Sequence, residues 1–350
     1  MKRKLICALL AAALCAGLMP GALAAPAAYT DVPEGHWAVE SIGRATELGI
    51  FQGMGDGTFG LGQPISRAAF VTALVRMFGW ESVTPETPTF TDVAQDTWYY
   101  AAVETAVKNG ALPVSSQTFR PAAALSRSDM AAMLMRALGY TSLAGTVSGY
   151  DCPFTDVTVN RGFITMAYDM GIVAGMGDGI YAPNASATRE QAAAILVRLH
   201  DKLYLESRQV DGTAGYAAVR VETPKPVEGD EMPTTPLEPI EQLYLRLREM
   251  KESGQDMSGA VLVLTGGGVS TTVSSLGRIL DSEIVTAEQV KSVLSRVDTR
   301  VYYSKRHESA YCVYEPNFYQ TVTIWYQSEE SMAAKLRLAR MFGVTNYVVE

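Results

Sequence analysis

Three arginines stand one residue after a serine or threonine where a helix would begin: Ser66-Arg67, Ser126-Arg127 and Thr188-Arg189. A cation in the first helical turn opposes the positive end of the helix dipole, at a cost of about 0.3–1 kcal/mol. Placed there three times, it asks for a compensating anion. One candidate is internal. An aspartate recurs in a Thr-Asp-Val triplet at Asp31, Asp92 and Asp156, and pairing with an arginine would tie segments of the chain together. The other candidate is a bound carboxylate, gripped by the guanidinium fork and the exposed helix N–H groups. The residues alone leave both open.

A second chemical candidate is the pentapeptide GMGDG, at Gly53–Gly57 and again at Gly175–Gly179. A phosphate loop would need a preceding strand and a helix opening directly on the glycines. A calcium loop would need more than one aspartate. Neither condition is met, and a stretch reading VSSQTF takes the same place between the two copies. The pentapeptide reads as a turn. The three histidines, His36, His200 and His307, are scattered and form no triad or metal cluster. No cofactor is expected.

The elements that position these residues repeat with them. The Thr-Asp-Val aspartates, glycines at 49, 110 and 171, and the arginines recur in the same order with a period of about 60 residues. Each block reads as helix, loop, helix. In the second helix, Phe70, Ala73, Leu74 and Met77 lie at i, i+3, i+4 and i+7. So do Met130, Met133, Leu134 and Ala137, and Ala192, Ile195, Leu196 and Leu199, each set one apolar stripe of core residues. Ser66, Ser126 and Thr188 are N-caps, and Gln191 completes a capping box that Ala69 cannot supply for Ser66. The first helices are expected over Trp37–Leu48, Trp98–Asn109 and Gly162–Met170, each stopping at its glycine.

The blocks resemble S-layer homology repeats. The resemblance covers about 29–202 and rests on TDVPEGHWA, GIFQGMGDGTF and ISRAAF, recurring as FTDV/W/LSRSDM and FTDV/GMGDG/ATREQA. It implies a mainly α-helical, three-pronged pseudo-trimer, with repeats at 29–80, 90–140 and 154–202. It also implies a non-catalytic anchor at the bacterial cell surface that binds pyruvylated secondary cell-wall polysaccharide. Carried over by position, Arg67, Arg127 and Arg189 bind the pyruvate carboxylate beside Ser66, Ser126 and Thr188. Trp37 and Trp98 then wall the groove, their alternative being core packing between prongs. The third repeat departs from the pattern. Its aspartate-to-glycine interval is 15 residues against 18, and its tryptophan is missing.

Ahead of the repeats, Lys2, Arg3 and Lys4, an apolar run from Leu5 to Met19, and Ala22-Leu23-Ala24 read as a signal peptide over 1–24. After cleavage, 26 basic residues face 37 acidic ones, a net charge of −11. That balance argues against nucleic acid or an anionic membrane as partner. Of the four cysteines, Cys152 and Cys312 remain, expected as free, partly buried thiols.

Residues 203–239 read as an acidic, proline-rich linker, centred on TPKPVEGDEMPTTPLEP, that spaces a further module from the wall. Residues 240–350 read as a small α/β domain. Its helices are Ile240–Glu252, one opening at Thr286–Gln289, and Glu329–Phe342; its strands are AVLVLT, VYY, AYCVY, VTIWY and Tyr347–Val349. The GGG after AVLVLT lacks phosphate-loop spacing. The last 50 or so residues are similar to the closing part of family 18 glycoside hydrolases, through VTIWYQSEESMAAKLRLARMFG. That similarity implies a wall-bound glycosidase, or its remnant, acting on chitin- or peptidoglycan-like glycans. Against it, the family's DxxDxDxE is absent, and about 110 residues cannot close an eight-stranded barrel. Glu308, Glu315, Glu329 and Glu330 are expected on a solvated face. A protein-interaction surface is the other alternative.

Overall fold

The structure, a computed structural model, describes residues 29–221 and 237–350. The expected signal peptide and residues 222–236 of the linker lie outside the described residues. Among the described residues the architecture is mixed: seven helices up to residue 203, then helices and two sheets.

The repeats hold α1 (Val39–Glu47) and α2 (Arg67–Phe78), then α3 (Tyr100–Lys108) and α4 (Arg127–Ala137), then α6 (Arg161–Asp169) and α7 (Arg189–Leu203). A short α5 (Thr141–Val147), which the apolar pattern does not announce, precedes the third repeat. Ser66 Oγ accepts from Ala69 N at 3.2 Å and Ser126 Oγ from Asp129 N at 3.0 Å. At Thr188 the Gln191 side chain reaches back to the cap, accepting from Thr188 N at 3.2 Å. The apolar stripes are buried as their spacing requires, with Phe70, Leu74, Met130, Leu134, Leu196 and Leu199 all at 0% exposure.

The three repeats close on one another. Just before each second helix the chain is extended, and these three segments exchange backbone hydrogen bonds in a ring. Ile65 N donates to Ala187 O, Ala187 N to Leu125 O, and Leu125 N to Ile65 O, at 2.8–2.9 Å. A second ring lies beside it, from Arg67 N to Ala123 O, Arg127 N to Ala185 O and Arg189 N to Gln63 O, at 2.9–3.0 Å. The helices follow the same rotation: α2 packs on α3, α4 on α6, and α7 back on α1.

Beyond the repeats, residues read as the start of the linker supply β1 (Arg208–Gln209) and β2 (Ala217–Val219). With β3 (Ala260–Leu264) and β9 (Asn346–Val349) they form a parallel sheet in the order β1-β9-β3-β2. Its β3 is buried throughout, as a sheet strand covered on both faces must be. Packed with it are α8 (Ile240–Glu252) and α10 (Glu329–Met341). An antiparallel sheet follows, in the order β5-β4-β8-β7-β6: β4 (Gly268–Ser274), β5 (Ile279–Val285), β6 (Arg300–Ser304), β7 (Ser309–Asn317) and β8 (Gln320–Tyr326). The helix α9 (Ala287–Leu294) covers one face around buried Cys312 and Ile324. The GGG stretch lets strands approach: a Cβ on Gly267 would lie 2.0 Å from Val285 O.

The spacer expectation sets this unit apart from the repeats; the structure packs it on them. One hydrophobic cluster runs from Ala38 through Leu199 to Leu247, Leu338 and Val344. Polar contacts reinforce the seam. Tyr244 hydroxyl donates to the Asp169 carboxylate, Lys251 Nζ to Asp169 O, and Lys202 Nζ to Met341 O.

Candidate anion-binding grooves

The residues singled out for chemistry assemble around the loop that joins the two helices of each repeat. The glycine-rich copies are turns. Asp56 Oδ1 accepts from Thr58 N at 3.0 Å and Thr58 Oγ1 at 2.6 Å. The loop then folds onto the Thr-Asp-Val segment, Thr30 N donating to Gly57 O at 3.0 Å and Thr155 N to Gly179 O at 2.9 Å. Gly53 is required by contact: a Cβ there would lie 2.6 Å from the Tyr29 ring.

An aromatic residue after each loop is held from both sides. Phe59 N donates to Asp31 at 2.7 Å, Phe119 N to Asp92 at 2.8 Å, and Tyr181 N to Asp156 at 2.9 Å. Asp31 also accepts from Gly60 N and Leu61 N, both at 2.8 Å. The carbonyls of the same aromatics accept from arginines of a neighbouring repeat. Arg67 Nε reaches Phe119 O at 2.8 Å, Arg127 Nε reaches Tyr181 O at 2.9 Å, and Arg189 Nε reaches Phe59 O at 2.8 Å. Each guanidinium also lies over the ring it holds, 5.1, 4.5 and 5.1 Å from the centroid. The internal pairing expected between these aspartates and arginines is therefore indirect. Asp31, Asp92 and Asp156 bind backbone amides, and arginine and aspartate meet through the peptide between them.

The three arginines differ in what else they hold. Arg67 donates NH1 to Asp129 Oδ2 at 2.7 Å, an ion pair between first and second repeats. Arg127, 7% exposed, places NH2 on Ala174 O at 2.7 Å. Arg189 places NH2 on Gln52 O at 3.1 Å, and no described carboxylate lies within ion-pair distance of it.

Two grooves open between the repeats. The first, about 600 Å³, is bounded by the Ile50–Met54 loop, Ser66, Ala69, Thr72 and Arg76 of α2, Arg189, and Trp98 of the second repeat. The second, about 460 Å³, holds Arg67, Arg120, Asp129, Met133, Arg136 and Asn160 beside the Leu112–Phe119 loop. Trp98 is 68% and Trp37 62% exposed, so neither is core packing between prongs. The threefold relation places Trp37 at the third interface, with Arg127 and the loop from Ile172 to Tyr181. There Arg198, the counterpart of Arg76 and Arg136, donates to Ile172 O at 2.7 Å. Where the third repeat lacks its tryptophan, Asn160 stands with φ of 56° and donates to Ser128 Oγ at 3.0 Å.

Arg76 and Arg136, which line the two grooves, carry no signal in the sequence beyond sharing a position in their helices. In the C-terminal unit, Glu315, Glu329 and Glu330 are exposed, but Glu308 is buried at 7% and accepts from Tyr303 hydroxyl at 2.9 Å. His307 pairs with Glu241 at 3.0 Å. Among the described residues no group of three or more His, Cys, Asp or Glu side chains could hold a metal ion. No described helix is long and apolar enough to cross a membrane.

Residues 28–71, 89–131 and 153–193 match the family model of the S-layer homology domain. Most similar proteins are surface-layer proteins. The S-layer protein sap of Bacillus anthracis is 27% identical over 224 residues, 63% of this chain and 27% of its own length. Enzymes also share the similarity: an amylopullulanase of Thermoanaerobacterium thermosulfurigenes is 28% identical over 180 residues, 50% of this chain and 10% of the enzyme. The chain thus spans well under two thirds of these relatives. A chitinase structure from Chromobacterium violaceum overlays 39% of this chain and 40% of its own at 14% identity, with a TM-score of 0.32, too slight to bear on the C-terminal unit.

These matches define the class: a secreted, wall-associated cell-surface protein. More particularly, three segments of the chain match the S-layer homology domain, and the structure closes these three repeats into one ring.

Proposed function

We propose that the repeats anchor this protein to the cell wall, without catalysis, by binding the carboxylates of an anionic, pyruvylated secondary wall polysaccharide. The observation that carries this reading is the first groove. It presents two arginines, Arg76 and Arg189, with no described carboxylate within ion-pair distance of either. Exposed Trp98 offers a flat apolar face for a sugar ring, and Ser66 and Thr72 add hydroxyls. Ser66 Oγ already accepts from Ala69 N, so its own proton remains to donate to a ligand oxygen. A guanidinium reads a carboxylate bidentately, which a lysine cannot reproduce.

The test is co-sedimentation of the full chain with Gram-positive walls, before and after the secondary polymer is stripped. Arg76→Ala is the informative variant, because Arg76 is exposed and holds no described hydrogen bond that the fold would miss. Loss of a charge-assisted contact worth roughly 1.5–3 kcal/mol weakens binding about tenfold or more. Arg189→Lys, which keeps charge but loses the fork, weakens it as well. Sedimentation indifferent to both the polymer and the arginines overturns the proposal.

A further inference from the structure

The pseudo-threefold makes each groove a control for the others, and one position breaks the symmetry. Three residues after each N-cap stand Ala69, Asp129 and Gln191. In the first groove Ala69 contributes a methyl group beside Arg76 and Arg189. In the second groove Asp129 contributes a carboxylate. Its Oδ2 takes the NH1 of Arg67 at 2.7 Å, while Arg67 Nε is committed to Phe119 O and the side chain is only 14% exposed. Asp129 also attracts Arg136, and both line the groove with Arg120. At the third interface Gln191 caps its own helix, Arg127 is only 7% exposed, and Arg198, unlike its counterpart Arg76, is committed to a carbonyl.

The second groove therefore already holds a carboxylate where an incoming one would meet Arg67. We infer that Asp129 is a resident anion that withholds the second groove from the wall polymer, leaving the first groove as the single carboxylate-binding site of the repeats. This inference rests on the proposed function, since it assigns that binding between grooves. Displacing Asp129 would return it to water but leave Arg67 to be re-paired, an exchange of one carboxylate for another with little net gain. Removing its charge leaves Arg67, Arg120 and Arg136 together, and the second groove becomes the more cationic of the two.

The experiment is calorimetric titration of the full chain with a ketal-pyruvate sugar, its methyl ester serving as the uncharged control. The wild type is expected to bind one equivalent of the acid, lost in Arg76→Ala. Asp129→Asn, which keeps the side-chain shape, is expected to bind two, and Asp129→Asn with Arg76→Ala one. Adding Arg136→Ala to Asp129→Asn returns the count to one. Asp129→Ala serves as a second variant should the amide itself hold Arg67. If both Asp129 variants still bind one equivalent, and that one is lost with Arg76, the inference falls while the anchoring groove stands. If the wild type binds none but the Asp129 variants bind one, the first-groove reading falls and the resident-anion inference stands. Wild-type binding of two equivalents, unchanged on removing Asp129, overturns it. Absence of binding in every variant overturns both.

Discussion

Asp31 and Asp156 make the repeats sensitive to acid. Burial pulls the Asp31 carboxyl upward, but the amides of Phe59, Leu61 and Gly60 outweigh it and hold the group below its ordinary value of 3.8. For Asp156 the amide of Tyr181 leads, with Ala182 assisting, in the same direction. A carboxylate depressed in the folded state stabilises fully above its unfolded pKa, and that stability is lost as pH falls through the folded value. Asp31→Asn is thus expected to cost about 1–2 kcal/mol at neutral pH, the difference between charged and neutral acceptors. Chemical denaturation should show the gap from wild type closing below about pH 4, near the unfolded aspartate pKa. A gap that persists unchanged to pH 2 would contradict the amide-bound geometry. The importance of these aspartates was legible in the sequence, but their partners were not. A recurring aspartate and arginine suggest a direct pair, whereas the link runs through the peptide of the aromatic that follows each loop. That aromatic stands 28, 27 and 25 residues after its aspartate, a near-constant interval that could have pointed to it.

Among the elements, the second helices and their caps were readable because stripe, cap and arginine agree at each copy. The first helices begin two residues later than expected for α1 and α3, because Trp37 and Trp98 lie outside on the surface. Strands β4 and β5 escaped notice for a physical reason. GVSTTVS buries the polar Ser270 and Thr271, and ILDSEIV turns its polar residues to solvent, so no apolar run marks either strand. The helix α10 carries a feature no periodicity shows. Its Lys335, 1% exposed, lies 3.2 Å from Glu238 Oε2, while Glu238 Oε1 accepts from Thr265 N at 2.7 Å. Burial lowers the Lys335 pKa, and Glu238 opposes that shift. Removing one member of a buried pair leaves an uncompensated charge, so Lys335→Ala is expected to cost about 3–5 kcal/mol. Lys335→Met with Glu238→Leu should recover most of that loss in a denaturant titration. An additive double variant would mean the two residues act separately.

On the scale of the whole molecule, the C-terminal unit is part of the same body as the repeats. Fully buried Leu247 of α8 belongs to the cluster that also holds Leu199 of α7. Leu247→Ala is expected to cost about 2–5 kcal/mol. Thermal unfolding should remain one cooperative transition, shifted as a unit. Two separate transitions, only one of them displaced, would show that the seam does not couple the units. The sequence did not disclose this packing. Proline-rich composition marks the connecting segment, but composition does not show whether the segments on either side of it meet.

The backbone ring through Ile65, Leu125 and Ala187 has a consequence for how such a unit can evolve. Every donor in it is satisfied by the preceding copy and every acceptor by the following one, the first copy closing on the third, with none left over. The arity is therefore fixed. In a stacked array a duplication simply lengthens the stack, but here a fourth copy would find no place in the circuit. Deleting one would strand a donor and an acceptor at the centre. A duplication of all three copies could close a second ring, whereas a single added copy would leave its donor and acceptor unmet by this circuit.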